Sequence, residues 1–172
     1  MNSDFIELIK SRRSVRKYQD KPVPNEFLQK LLEAAHWAPS AHNSQPWEFV
    51  ILRDKEVKRK VAEASAWGKF LSKSPLGIAI VINPNKSNHP VEDGAAATQN
   101  ILLAAHALGL GACWIGSYGS PWEEKAKEIL GIPKELRLLS IVAVGYPAEK
   151  PLSIRKNLEK LVYIDKYGVY AK

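Results

Sequence analysis

Arg12, Arg13, Ser14 and Arg16 put three guanidinium groups and one hydroxyl within five consecutive residues. A phosphate monoester has the charge and the acceptor oxygens to use them, and the planar arginine fork offers two parallel charge-assisted hydrogen bonds. A second basic group, Lys150, Arg155, Lys156 and Lys160, stands near the other end of the chain. The formal net charge of +7 comes from 25 Lys and Arg against 18 Asp and Glu, and these two clusters account for it. Two such clusters can close on one compact anion. They are equally consistent with solvated surface charge, or with cations complementing the C-terminal end of a helix. Nucleic-acid binding is a third reading, but Tyr18 is the only aromatic interleaved and no zinc-finger or RNP pattern occurs.

Other chemistries are excluded by residue type and spacing. A single cysteine, Cys113, rules out an intramolecular disulfide and any multi-cysteine metal site. The segment Gly109-Leu110-Gly111-Ala112-Cys113-Trp114 has Trp114 where a dinucleotide fingerprint needs its third glycine. No G-x-S-x-G elbow and no P-loop occurs, and His36, His42, His89 and His106 show no ligand spacing. An enzyme built on this chain therefore needs a cofactor to supply its reactivity.

The elements that must position these groups follow from periodicity. A short helix capped by Ser3 or Asp4 carries Phe5, Ile6 and Ile9 up to the arginine cluster. Phe27, Leu28, Leu31, Leu32 and Ala35 predict a helix over Asn25–Trp37, which Pro39 stops. Residues 39–46 are polar and bracketed by prolines, an ordered loop. Strands are expected at Trp47–Leu52, Leu76–Ile82, Ala112–Ile115 and Arg137–Val144, with the second and fourth buried on both faces. Helices are expected at Asp54–Ala66 and Glu92–Leu108, the latter rich in Gly and Ala so that a neighbour can approach closely. Ser120-Pro121-Trp122-Glu123 reads as a capping box. Helices alternating with apolar strands indicate one layered domain over residues 1–172. The tail, with Leu161, Val162, Tyr163, Ile164, Tyr167, Val169 and Tyr170, is too apolar to remain untethered and is expected to pack on a partner. The opening Met1-Asn2-Ser3-Asp4 has no leader pattern, and the stretch from Ile101 to Ile115 is too short for a bilayer, so the expectation is a cytoplasmic protein.

Four segments in order carry a family resemblance: S-R-R-S-V-R-K-Y near the start, A-P-S-A-H-N-S-Q-P-W-E-F at 38–49, D-G-A-A-A-T-Q-N through W-I-G at 93–116, and V-G-Y-P-A-E-K-P at 144–151. Together they resemble the FMN-dependent nitroreductase family in its short form. The resemblance implies an α+β fold with a central mixed β-sheet flanked by helices in three layers. It also implies a homodimer with a swapped tail (residues 158–172) and FMN at the subunit interface. Arg12, Arg13, Ser14 and Arg16 would inherit the FMN phosphate, with Arg155, or alternatively Lys156, joining them from the other end. Pro39, Ser40, Ala41 and Asn43 would reach the flavin from the partner, and the backbone of Ile115 and Gly116 would face the ring. Gly68 stands where many members carry an amide side chain that touches the flavin. The implied activity is reduction of nitroaromatics, quinones or related acceptors by NADH or NADPH, in ping-pong hydride transfer through flavin N5. Reductive dehalogenation or flavin fragmentation on the same scaffold is the alternative, and no catalytic side chain, metal, nucleic acid or membrane is implied.

Overall fold

The computed structural model describes residues 3–170, with the side chain of Ser3 outside the description. The proposed cap by Ser3 and the last two residues of the tail therefore lie outside the described residues. In chain order the elements are α1 (Ser3–Ser11), α2 (Asn25–His36), β1 (Trp47–Leu52), α3 (Lys55–Ala64), β2 (Leu76–Ile82), α4 (Pro90–Ala107), β3 (Gly111–Gly116), α5 (Glu123–Leu130) and β4 (Arg137–Gly145). Short 3₁₀ turns occur at Ala41–Asn43, Lys69–Lys73 and Leu158–Leu161.

The four strands form one sheet in the order β1-β2-β4-β3, and every strand pair is antiparallel. The parallel component expected of a mixed sheet is confined, among the described residues, to the single bridge between Ser14 and Ala112. Alternate residues of β2 and β4 point to opposite faces, as strand geometry requires. Ile78, Ile80 and Val142 meet α2 and α4 on one face. Ala79, Val81, Ile141 and Ala143 meet α3 and α5 on the other. Both faces are covered, so residues 76–82 are apolar throughout and residues 138–144 are apolar except for Ser140.

The small residues of α4 serve its approach to the sheet. A Cβ on Gly94 would stand 2.6 Å from both Ile82 Cγ2 and Leu139 Cδ2. Thr98 stitches the same contact with its hydroxyl 3.0 Å from that of Ser140. The β2–β4 register slips at Ile80/Val81, which leaves Leu139 as the bulged residue. Its carbonyl is free to accept the N–H groups of Ser117 and Tyr118, both at 3.1 Å, and so fixes the turn that follows β3.

The capping box at Ser120 does not form. Helix α5 starts at Glu123, no side chain caps it, and the Ser120 hydroxyl is buried without a partner. Glu123 is taken instead by Arg137, in a bidentate pair with both contacts at 2.7 Å, and by the Gly119 N–H at 2.7 Å. A buried carboxylate gains more from a guanidinium than from a helix end. No helix among the described residues is long and apolar enough to cross a membrane.

Candidate functional site

Residues 12–16 run along the outer edge of β3. Ser14 bridges Ala112, and the Val15 N–H donates to the Ala112 carbonyl at 3.0 Å. Extended backbone sends successive side chains to opposite sides, and this divides the arginine cluster. Arg12, Ser14 and Arg16 all act on Cys113, and Arg12 lies within electrostatic reach of His106 as well. Burial pushes the Cys113 thiol above its ordinary value, while Arg16, a hydrogen bond with Ser14, and Arg12 pull it back. Arg13 turns the other way. Its Nη1 donates to the carbonyls of Lys10 (2.6 Å) and Arg12 (2.9 Å), satisfying the end of α1. It lines a hollow of about 410 Å³ with His106 and Glu149. Burial, then Arg12 and Arg13, push the His106 pKa down, which keeps the ring neutral beside the Ser11 hydroxyl at 2.9 Å. Arg12 is half-buried, and its side chain makes no hydrogen bond or ion pair among the described residues.

The two ends of the chain do meet, at the level of the backbone. The Ala148 N–H donates to the Lys17 carbonyl and the Gln19 N–H to the Tyr146 carbonyl, both at 2.9 Å. Glu149 Oε1 accepts the N–H groups of Arg16 (2.6 Å) and Lys17 (3.1 Å). The late cluster itself lies further out. Residues 151–157 form no regular element, Leu152 and Ile154 are 97% and 96% exposed, and among the described residues the Arg155 guanidinium donates only to the Ser153 hydroxyl. Within one protomer the structure does not bring Arg155 or Lys156 onto Arg12, Ser14 or Arg16.

The loop over residues 39–46 is held in a conformation that its sequence alone does not favour. His42, Asn43 and Gln45 have φ values of 52°, 54° and 45°. Such left-handed backbone costs a non-glycine residue about 1–3 kcal/mol and persists where its surroundings impose it. Asp93, buried at the start of α4, accepts the Ala41 N–H at 2.9 Å and a hydrogen bond from the Ser87 hydroxyl at 2.5 Å. Ser40 Oγ accepts the Gln45 N–H at 3.0 Å, and the Gln45 amide donates to Asn43 Oδ1 at 3.1 Å, so Gln45 holds the loop itself. Pro39 and Asn43 are exposed, while Ser40 and Ala41 are half-buried. This loop is pinned at Asp93, whereas the arginine cluster lies beside His106. Thirteen residues of one helix separate the two pins, about 20 Å at 1.5 Å per residue.

Ile115 turns its side chain into the core between the sheet and α3/α5, leaving only its backbone for a ligand. Gly116 is exposed, and a Cβ there would meet nothing within 4 Å. β3 is an edge strand covered over its first half by residues 14 and 15, so Ile115–Gly116 forms its open half. Gly68 is explained by packing. A Cβ there would stand 2.7 Å from Ser65 Oγ and 2.9 Å from Ile115 Cγ2. Glu149, Asp93 and Leu139 were not legible as positioning residues, because each acts on backbone groups distant in sequence. Only the A-E-K of the late motif marked Glu149 at all.

The nitroreductase family model matches residues 9–80 and 67–146, and the chain belongs to that family. Over 154 residues it is 42% identical to a protein of Archaeoglobus fulgidus provisionally named NADH dehydrogenase/NAD(P)H nitroreductase, covering 86% of this chain and 87% of that one. It superposes with a TM-score of 0.90 on an FMN-dependent nitroreductase of Clostridium difficile R20291, at 32% identity over 94% of this chain and 99% of the other. It is also 31% identical over 178 residues to an iodotyrosine deiodinase of Thermotoga neapolitana, covering 89% and 94% of the two chains.

Proposed function

We propose that the protein is an FMN-dependent NAD(P)H oxidoreductase that works as a homodimer and reduces nitroaromatic or quinone acceptors. The observation that carries this is the half-buried Arg12 guanidinium, which has no partner among the described residues and shares one side of the β3 edge with Ser14 and Arg16. That donor set fits a phosphate, and the open backbone at Gly116 fits a flat ring.

Arg12, Ser14 and Arg16 hold the phosphate, and Arg13 anchors the end of α1 behind them. The backbone of Ile115 and Gly116 lies along the ring. FMN bound there supplies two-electron redox chemistry between a nicotinamide and an oxidised acceptor. Ser40, Ala41 and Asn43 reach this ring from the partner, because about 20 Å of α4 separates the two motifs within one protomer. Asn43 supplies both a donor and an acceptor to the carbonyl and N–H groups of the ring edge.

Two features support the dimer. An apolar hollow of about 560 Å³ between α1, α2 and α4 is lined by Phe5, Leu8, Trp37 and Leu103, and Trp37 is 79% exposed. The tail from residue 158 leaves Leu158, Leu161, Tyr167 and Val169 exposed on its own protomer. Apolar surface of this extent is the mark of a docking face. Swapping the tail covers it, and carries Arg155 toward the partner's phosphate.

The relative of deiodinase type supports a second reading, reductive dehalogenation on the same scaffold. Steady-state turnover with NADH and NADPH, against a nitroaromatic, a quinone and an iodinated phenol, tests both. Nitroaromatic or quinone turnover several-fold above the iodinated phenol is expected. Preferential loss of iodide would replace the first reading by the second.

A further inference from the structure

A third hollow, of about 380 Å³, lies between the segment before α2, the start of α3 and the end of the Lys69–Lys73 turn. Five cations line it, Lys21, Arg53, Lys55, Lys58 and Lys73, against one carboxylate, Asp20. None of them belongs to the flavin site. Like charges gathered in one concavity repel unless an anion is present to offset them.

Lys58 carries the argument furthest. Its side chain is at the floor of the hollow and the residue is only 3% exposed. Its ammonium donates to the carbonyl of Ser74, and to that of Pro75 at 3.2 Å. Two of its three N–H groups are thus used, and no carboxylate pairs with it among the described residues. The carboxylate of Asp54 is occupied in capping α3 through the Val57 N–H at 2.8 Å. Buried ammonium groups normally have a counter-ion, because an unpaired charge is costly to desolvate. Burial and the neighbouring Lys55 push the Lys58 pKa down, against the opposing pull of Asp54.

The rim supplies further donors. Lys55 and Lys73 are exposed, and their side chains make no hydrogen bond or ion pair among the described residues. Lys21 rests on the Tyr146 ring at 4.0 Å, and Arg53 donates to Asn25 Oδ1 at 2.7 Å, so both heads are held near the opening. The hollow is too small for a nucleic-acid duplex and suits a compact polyanion.

We propose that this hollow is a second anion site, which binds a compact phosphate-bearing ligand of the diphosphate class independently of the flavin. Lys58 contacts it from below, and Lys55 and Lys73 close on it from the rim.

The test is calorimetric titration of inorganic diphosphate into protein saturated with FMN, with sulfate and a random single-stranded oligonucleotide as comparisons. One diphosphate per chain is expected, tighter than sulfate and without displacement of flavin. Lys55→Glu/Lys73→Glu should weaken it by about tenfold or more, as expected when two charge-assisted contacts are reversed, with flavin content and melting temperature unchanged. The milder Lys55→Gln/Lys73→Gln, expected to weaken it several-fold, keeps the test sound if the double glutamate does not fold. Four results would overturn the proposal: no binding at millimolar diphosphate, equal binding by both variants, displacement of FMN by diphosphate, or tighter binding of the oligonucleotide lost in the same variants.

Discussion

The carboxylate of Glu149 lies 2.6 Å from the backbone nitrogen of Arg16, and this contact joins the two ends of the chain. It also receives the Lys17 N–H, so one side chain sets the backbone that presents the basic cluster. Glu149→Ala should therefore loosen the cluster without removing a cation. Charge-assisted hydrogen bonds that are partly exposed are worth about 1–2 kcal/mol together. Urea unfolding should show a loss of that size, and FMN affinity should fall by about tenfold. An unchanged affinity would mean that residues 16 and 17 hold their conformation without Glu149.

Arg12→Ala and Arg16→Ala should each weaken FMN binding by about tenfold to a hundredfold, from about 1.5–3 kcal/mol per lost charge-assisted bond. Arg13→Ala should act differently. It removes the donor that satisfies the Lys10 and Arg12 carbonyls, so thermal stability falls while flavin affinity is nearly retained. Fluorescence titration of FMN and thermal melts on the three variants separate these outcomes. A flavin loss in Arg13→Ala equal to that in Arg12→Ala would show that the division of the cluster is wrong.

Gly68→Asn installs the amide side chain that the family resemblance implies at this position, and it should fail to improve flavin binding. The added Cβ stands 2.7 Å from Ser65 Oγ and 2.9 Å from Ile115 Cγ2. Overpacking of this kind costs about 1–3 kcal/mol. A lowered melting temperature is expected, and a tighter FMN complex with unchanged stability would contradict the packing account.

Glu123 gives a pH signature. Burial opposes its charge, but the Arg137 hydrogen bonds and the Gly119 N–H prevail, and its pKa falls below the ordinary value of 4.5. A carboxyl depressed in the folded state contributes stability above the unfolded pKa and loses it as pH falls through the folded one. Glu123→Gln should thus be destabilising at pH 7, by about 1.5–3 kcal/mol for a partly exposed charge-assisted pair. The gap to the parent protein should narrow as pH drops below about 4.5. Chemical denaturation at the two ends of that range reads it directly. A gap that stayed constant would mean that the pair contributes by shape alone.

Much of this architecture was legible in the residues. Leu76–Ile82 reads as a doubly covered strand because every position is apolar, and Trp47–Leu52 begins where Pro46 ends the loop. Less legible was whatever depends on pairing between distant segments. Which of Arg12, Arg13, Ser14 and Arg16 share a side is decided by the bridge from Ser14 to Ala112. The capping box at Ser120 was misleading because Arg137, fourteen residues beyond Glu123, competes for its carboxylate. The wholly antiparallel strand pairing depends on β4 entering between β2 and β3, a matter of topology rather than local pattern. The left-handed backbone at His42, Asn43 and Gln45 has no sequence signal beyond the flanking prolines, and the contact that pins the loop, from the Ala41 N–H to Asp93, spans 52 residues.

The central claim, that Arg12, Ser14 and Arg16 hold an FMN used for hydride transfer, is tested most directly by one spectrum. Protein incubated with excess FMN and passed through a desalting column should keep its yellow absorbance at about one flavin per chain. Under anaerobic conditions NADH or NADPH should bleach it, and a quinone should restore it. A colourless eluate, or a bound flavin that neither nucleotide reduces, would contradict the account.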